Sequence, residues 1–193
     1  RYIRMFSFYL PEQEEPSKYR NDVMKRLEEF IAEAEGTGIT LLHENEKDIY
    51  GDIPERCLDL FKTLKCDFMG AVFDPANFVQ CGVKTYPEAY MLLKEHIAYM
   101  HIKDALYKDH SVVPAGLGDG RVADILTDLY RSGFDGFLSI EPHLGSFNGF
   151  AELELNAKIN AKISAMPHGG PKLFAVACEA LKRIIAEIGA KAE

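Results

Sequence analysis

The sequence predicts an α/β protein of the TIM-barrel type in which the chain supplies about five consecutive βα units. Two observations carry this expectation. Short apolar runs alternate with longer segments whose apolar residues recur at helical spacing, which is the order of a parallel sheet covered by helices. In addition, four of the strand-like runs stop on a side chain able to ligate a metal: ITLLHENE at Glu44, DFMGAVFDPANF at Asp74, HIAYMHIKD at His101 and FLSIEPHL at Glu141. Active residues at the C-terminal ends of successive strands are the habit of barrels. A complete (β/α)8 barrel needs eight units and typically about 250 residues. The 193 residues therefore read as one N-terminally incomplete domain over 1–193, the C-terminal part of a barrel with its N-terminal strands absent. An open doubly wound sheet is the structural alternative.

The elements follow in order. Tyr2 to Tyr9 (YIRMFSFY) reads at once as a buried strand, so the chain is expected to open in mid-fold. The proline-broken loop PEQEEPSKYR leads to a helix over 21–35 with Val23, Leu27, Phe30, Ile31 and Ala34 on one face. Gly36 and Gly38 end it before a strand over 39–43. A helix over 54–64 has Pro54 in its first turn and Leu58, Phe61 and Leu64 on one side. A strand over 68–73, a helix over 86–95, a strand over 97–102, a helix over 122–131 and a strand over 137–140 continue the pattern. Residues 150–163 read as an irregular helix, and 171–190 as a final amphipathic one. Left uncovered, the first and last strands are apolar edges that favour association with a second copy.

Composition narrows the class. With 47% hydrophobic and 27% charged residues the chain can bury an ordinary core. A formal net charge of -8 argues against nucleic-acid and anionic-membrane partners, since phosphate binding needs clustered Lys and Arg. No apolar run approaches the roughly 18 residues of a membrane span. Cys57, Cys66, Cys81 and Cys178 form no CxxC pair and read as reduced thiols of a cytoplasmic protein.

A carboxylate at the mouth of a buried strand is costly unless a cation or a proton partner meets it. The set Glu44, Asp74, His101 and Glu141 therefore points to one divalent metal ion, with oxygen-rich ligation and one imidazole suiting Mn, Mg, Co or Zn. Each residue alone has a plainer reading: Glu44 as a solvated turn residue, His101 as a core histidine, Lys103 and Asp104 as a salt-linked loop. Lys103, two residues past His101, points into the same mouth by strand alternation and is assigned to a substrate oxygen. His43 faces away from Glu44 and reads as structural, His96 and His143 as packing or surface residues, and His110 as part of a polar loop. The glycines of GLGDG (116–120) read chiefly as a tight loop feeding a helix, with anion binding as the rival. HGGP at 168–171 reads as a helix entry, also with an anion rival.

The series HENEKDIYGDIPE, FDPANF, HIKDA, VPAGLGDG and LSIEPH resembles the sugar phosphate isomerase/epimerase family, the xylose-isomerase-like TIM barrels, over essentially the whole chain. The resemblance implies that three further strands precede Arg1 and that Glu44, Asp74, His101 and Glu141 hold a divalent metal. It also implies that Glu44 and Glu141 serve as the acid and base of a keto-sugar isomerase or epimerase working through an enediolate. Two positions depart from the pattern. Asn77 stands where many members have His three residues after the metal aspartate; it suits substrate binding but not proton relay. Tyr107 and Lys108 stand where keto-sugar epimerases carry an arginine. The DNA-repair branch of the fold needs further His and Asp ligands that are missing here. A small-molecule sugar is thus the expected partner, with a dehydratase of a keto-inositol or related polyol, or a non-catalytic barrel fragment, as the alternatives.

Overall fold

A computed structural model describes residues 1–145, 163–167 and 169–189. The helix expected over 150–163 falls almost wholly outside the described residues, as does His168.

Five parallel strands form one sheet in the spatial order β1 (Tyr2–Met5), β2 (Thr40–Glu44), β3 (Met69–Phe73), β4 (Ile97–Ile102) and β7 (Phe137–Ile140). Chain order and spatial order coincide, as in a barrel wall built by successive right-handed crossovers. The wall is strongly curled. Tyr2 on β1 meets Tyr99 on β4 and Phe137 on β7, with ring centroids 6.1 and 5.9 Å apart, although two strands lie between β1 and β4. A flat sheet would hold those strands three spacings, about 14 Å, apart. The result is a half-barrel with a concave inner face, in keeping with the predicted class.

Helices α1 (Arg20–Ala34), α2 (Pro54–Leu64) and α5 (Val122–Arg131) cover the outer face, and α6 (Gly170–Glu187) packs beside the end of β7. The bounds of α2, β4, α5 and β7 coincide with those read from the sequence. Apolar patterning marks these segments, with Pro54 opening α2, Gly133 closing α5 and Gly136 preceding β7. The core is continuous from Val23 and Leu27 of α1 through Leu41, Phe73 and Met100 of the sheet to Ile125 and Leu129 of α5. Arg20 ties α1 to α2 through a forked pair with Asp59 at 2.6 and 2.7 Å.

Three expectations need correction. The opening strand ends at Met5 and is not buried: Tyr2 and Ile3 are 46% and 50% exposed, because β1 has a strand on one side only. Beyond it Phe8 takes a left-handed backbone conformation, and Tyr9 forms only an isolated antiparallel bridge with Ile49. A short helix α3 (Pro75–Gln80) follows Asp74 directly, where periodicity gave no signal. The helix expected over 86–95 is broken into a π turn (Thr85–Ala89), α4 (Tyr90–Leu93) and a 3-10 turn (Lys94–His96), with Tyr86 non-helical. A small hairpin of β5 (Asp104–Ala105) and β6 (Val112–Val113) follows β4 at the mouth of the half-barrel.

Candidate metal centre

The strand ends bring Glu44, Asp74, His101 and Glu141 to one place. One ligating atom from each lies within 4.8 Å of all the others. Nδ1 of His101 is 3.0 Å from Glu44 Oε1, 3.3 Å from Glu141 Oε1 and 3.7 Å from Asp74 Oδ2. A single ring N–H cannot serve three carboxylates. Donors held about 2.1 Å from a common centre stand about 3–4 Å apart, so these spacings suit a divalent cation. The donor chemistry, three anionic oxygens and one imidazole, suits it equally. Glu44, Asp74 and His101 are buried, whereas Glu141 keeps a quarter of its side chain exposed.

Two of the four candidate positions, Asp74 and Glu44, are braced by neighbouring groups. Asp74 caps α3: its Oδ1 accepts the backbone N–H of Asn77 at 2.9 Å, which turns Oδ2 toward the cluster. Oδ2 makes no well-aligned hydrogen bond, although Lys103 Nζ stands 2.8 Å away as an ion-pair partner. The side chain of Asn45 acts as an extra rung between β2 and β3, donating to Asp74 O and accepting from Asp74 N, both at 2.9 Å. Glu44 is gripped at both oxygens. Oε1 faces His101 and accepts from Asn77 Nδ2 at 3.3 Å, and Oε2 accepts from Arg4 Nη1 at 2.6 Å.

Electrostatics follow from this packing. Burial works against charge on His101, but hydrogen bonding to Asp74 and Glu44 and the charges of Glu44 and Glu141 prevail, raising its pKa to about 9. Burial likewise opposes charge on Glu44, but the His101 and Arg4 contacts outweigh it and hold the carboxyl below its usual range. Lys103 is buried, yet Asp74 and Glu141 keep its pKa raised.

The residues read from the sequence fall as follows. Lys103 stands among the ligands, as strand alternation requires, 3.3 Å from Glu141 Oε2. Asn77 is turned inward: its Nδ2 donates to Glu44 and to Asn45 O, and the residue is buried. Its side-chain amide thus braces a carboxylate of the cluster. His43 lies behind the strand, edge-on to Phe61, and burial lowers its pKa to about 4. His96 stacks on Phe61 at 4.6 Å. Tyr107 is locked by its hydroxyl to Val83 O.

Asp104 is not a salt-linked residue. Its carboxylate accepts the backbone N–H groups of Ala105, Gly116, Gly118 and Gly120 at 2.8–3.0 Å. Leu117 N and Asp119 N donate to Pro114 O and Ala105 O. Every amide of GLGDG is thus spent internally, and the loop is a tight turn wrapped around an acid. A Cβ at Gly118 would collide with Asp104 Oδ1, which is why glycine is needed there.

Sequence reading missed Arg4, Asn45 and the role of Asp104. Arg4 alternates inward with Tyr2 along β1, and Asp104 precedes a loop with glycines at alternate positions; both signals are visible only once the strand directions are fixed.

Solved structures share this fold. A xylose isomerase domain protein from Planctomyces limnophilus superposes with a TM-score of 0.69 at 20% identity, over 97% of this chain and 59% of that one. A D-tagatose 3-epimerase-like protein gives 0.67 at 21%, over 97% and 64%. The probable 3-DHS dehydratase AsbF from Bacillus anthracis gives 0.67 at 13%, over 93% and 62%. The chain therefore spans about three-fifths of the length of these structures. Curated protein sequences give no match. The family model described as xylose isomerase-like TIM barrel matches residues 1–165. The half-barrel wall of successive parallel strands agrees with that match, and the chain belongs to the xylose isomerase-like TIM-barrel family.

Proposed function

We propose that the protein is a divalent-metal-dependent isomerase or epimerase of a keto sugar or sugar derivative. The observation that carries this reading is the convergence of Glu44, Asp74, His101 and Glu141 from four strand ends on one buried point. A divalent ion held by these four side chains supplies Lewis-acid polarisation of a ketone and its neighbouring hydroxyl, which acidifies the C–H between them. Mn, Mg, Co and Zn all suit the donor set.

The chain's own groups do the remaining work. Glu141, the more exposed of the two glutamates, takes the proton from the substrate carbon. For isomerisation Glu141 returns that proton at the adjacent carbon; for epimerisation Glu44 first takes a proton from solvent and delivers it to the opposite face of the same carbon, while Glu141 releases its own to solvent. Lys103, beside Asp74 and Glu141, steadies negative charge that develops on the substrate oxygen. Asn77 and Arg4 hold Glu44 in register. A small-molecule sugar is the partner in this reading. Self-association is part of it, as is a reducing, cytoplasmic setting for the four unpaired cysteines. Among the described residues no helix is long and apolar enough to cross a membrane.

The same metal and the same proton removal also suit elimination of water from a keto-inositol or related polyol, and the fold is shared with a probable dehydratase. One experiment separates the readings. Keto sugars and keto-inositol are incubated with the Mn-loaded protein in deuterated water, and the products are identified by NMR. Deuterium at the carbon next to the ketone in a recovered isomer supports isomerisation. Loss of a hydroxyl supports dehydration. Bound Mn with no exchange on any substrate rules out both and leaves a non-catalytic barrel.

A further inference from the structure

Among the described residues two cations, Lys103 and Arg4, stand beside the four candidate ligands, and their charges bear on what the site can receive. Three carboxylates contribute -3, and Lys103 and Arg4 contribute +2. A divalent ion on the neutral imidazole of His101 brings the whole to +1. A neutral sugar leaves that charge uncompensated in a largely buried setting, where it is costly.

The two cations differ in availability. Lys103 is buried and occupied by Asp74 and Glu141. Arg4 is 48% exposed and spends Nη1 on Glu44 Oε2. Its guanidinium lies 4.7 Å from the centre of the Phe6 ring, which limits its movement. Nε and Nη2 form the remaining donor edge, a planar fork that matches a carboxylate. Arg4 sits one carboxylate away from the ligand cluster, on the concave face shared by Tyr2 and Tyr99. A phosphate would need several donors, and GLGDG, one of the two loops read as able to offer them, has its amides spent on Asp104, Pro114 and Ala105.

We propose that Arg4 is the recognition element for a substrate carboxylate, so that the site takes a keto acid in preference to a neutral keto sugar or a phosphate ester. The inference rests on the metal-dependent reading above and narrows its substrate class. The acid end of the substrate lies on the guanidinium fork, and the ketone and adjacent hydroxyl face Glu44 and Glu141.

The test is equilibrium binding by calorimetry to the Mn-loaded protein, with 2-keto-D-gluconate, D-fructose and D-fructose 6-phosphate as probes. Mn uptake is first measured on the wild type, Arg4→Met and Arg4→Lys by electron paramagnetic resonance, so that any effect passing through Glu44 is seen separately. The wild type is expected to bind the keto acid at least about tenfold more tightly than either other probe. Arg4→Met should weaken acid binding at least about tenfold more than fructose binding, any loss passing through Glu44 falling on both alike, and Arg4→Lys should keep part of the margin. Equal wild-type affinity for acid and ketose, or tightest binding of the phosphate ester, overturns the proposal. So does an Arg4→Met variant that still takes up Mn and weakens on all three probes alike, since Arg4 would then act only by positioning Glu44. If the wild type binds Mn and exchanges the fructose C3 hydrogen with no preference for the acid, this inference fails and the metal-dependent reading stands. If the wild type takes up no Mn, that reading falls, and this inference with it.

Discussion

Nδ1 of His101 lies 3.0 Å from Oε1 of Glu44, although 57 residues separate them in the chain. Burial alone would keep that ring neutral; the surrounding carboxylates instead raise its pKa to about 9 from an ordinary 6.5. Without metal, the protonated ring contributes stability that is complete below about pH 6.5 and is lost as pH rises through about 9. A metal ion needs the neutral ring. Uptake near pH 7.5 should therefore expel about one proton, and apparent affinity should rise about tenfold per pH unit up to about pH 9. Calorimetric titration with Mn in buffers of different ionisation enthalpy measures the proton count directly. A count of zero would show that His101 is not displaced from its proton and is not a ligand.

Glu141 combines a candidate ligand position with the most accessible carboxylate of the cluster. Glu141→Gln removes a charge and a proton carrier together. Metal affinity should fall by about tenfold or more, and α-hydrogen exchange should become undetectable. Exchange at the wild-type rate would remove Glu141 from the mechanism.

Asn77 donates to Glu44 and Asn45 from a buried position. Replacement by Ala leaves those acceptors without their donor. We expect about a tenfold loss of metal affinity, as for other residues that orient ligands, at a stability cost of about 1–2 kcal/mol. Unchanged metal affinity with lowered substrate affinity would assign Asn77 to substrate binding, the role its sequence position suggests.

Asp104 collects four backbone N–H groups. Asp104→Ala strands them in a partly buried loop and should cost about 3 kcal/mol in urea unfolding, with Asp104→Asn costing less. A change under about 0.5 kcal/mol would mean that the GLGDG turn holds its shape without the acid.

Much of this was legible in the sequence, for identifiable reasons. The bounds of α2, β4, α5 and β7 were readable because Pro54, the apolar run at 97–102, Val122 with Ile125, Leu126 and Leu129, and Gly133 each mark an edge locally. The convergence of Glu44, Asp74, His101 and Glu141 was readable because a charged residue ending an apolar run is improbable without a partner. The exposure of β1 was not, since burial of an edge strand depends on what lies beside it and not on its own composition. Helix α3 escaped because it is six residues long and starts from a side-chain cap on Asp74 rather than from an apolar stripe. Arg4 and Asn45 escaped because their partners are a strand away, at distances set by register.

The most direct test of the central claim is an anomalous-scattering map from crystals of the protein soaked with Mn. The account predicts one dominant peak within about 2.3 Å of Glu44 Oε1, Asp74 Oδ2, His101 Nδ1 and Glu141 Oε1 together. A map whose peaks lie elsewhere, or that shows none among these four atoms, would contradict it.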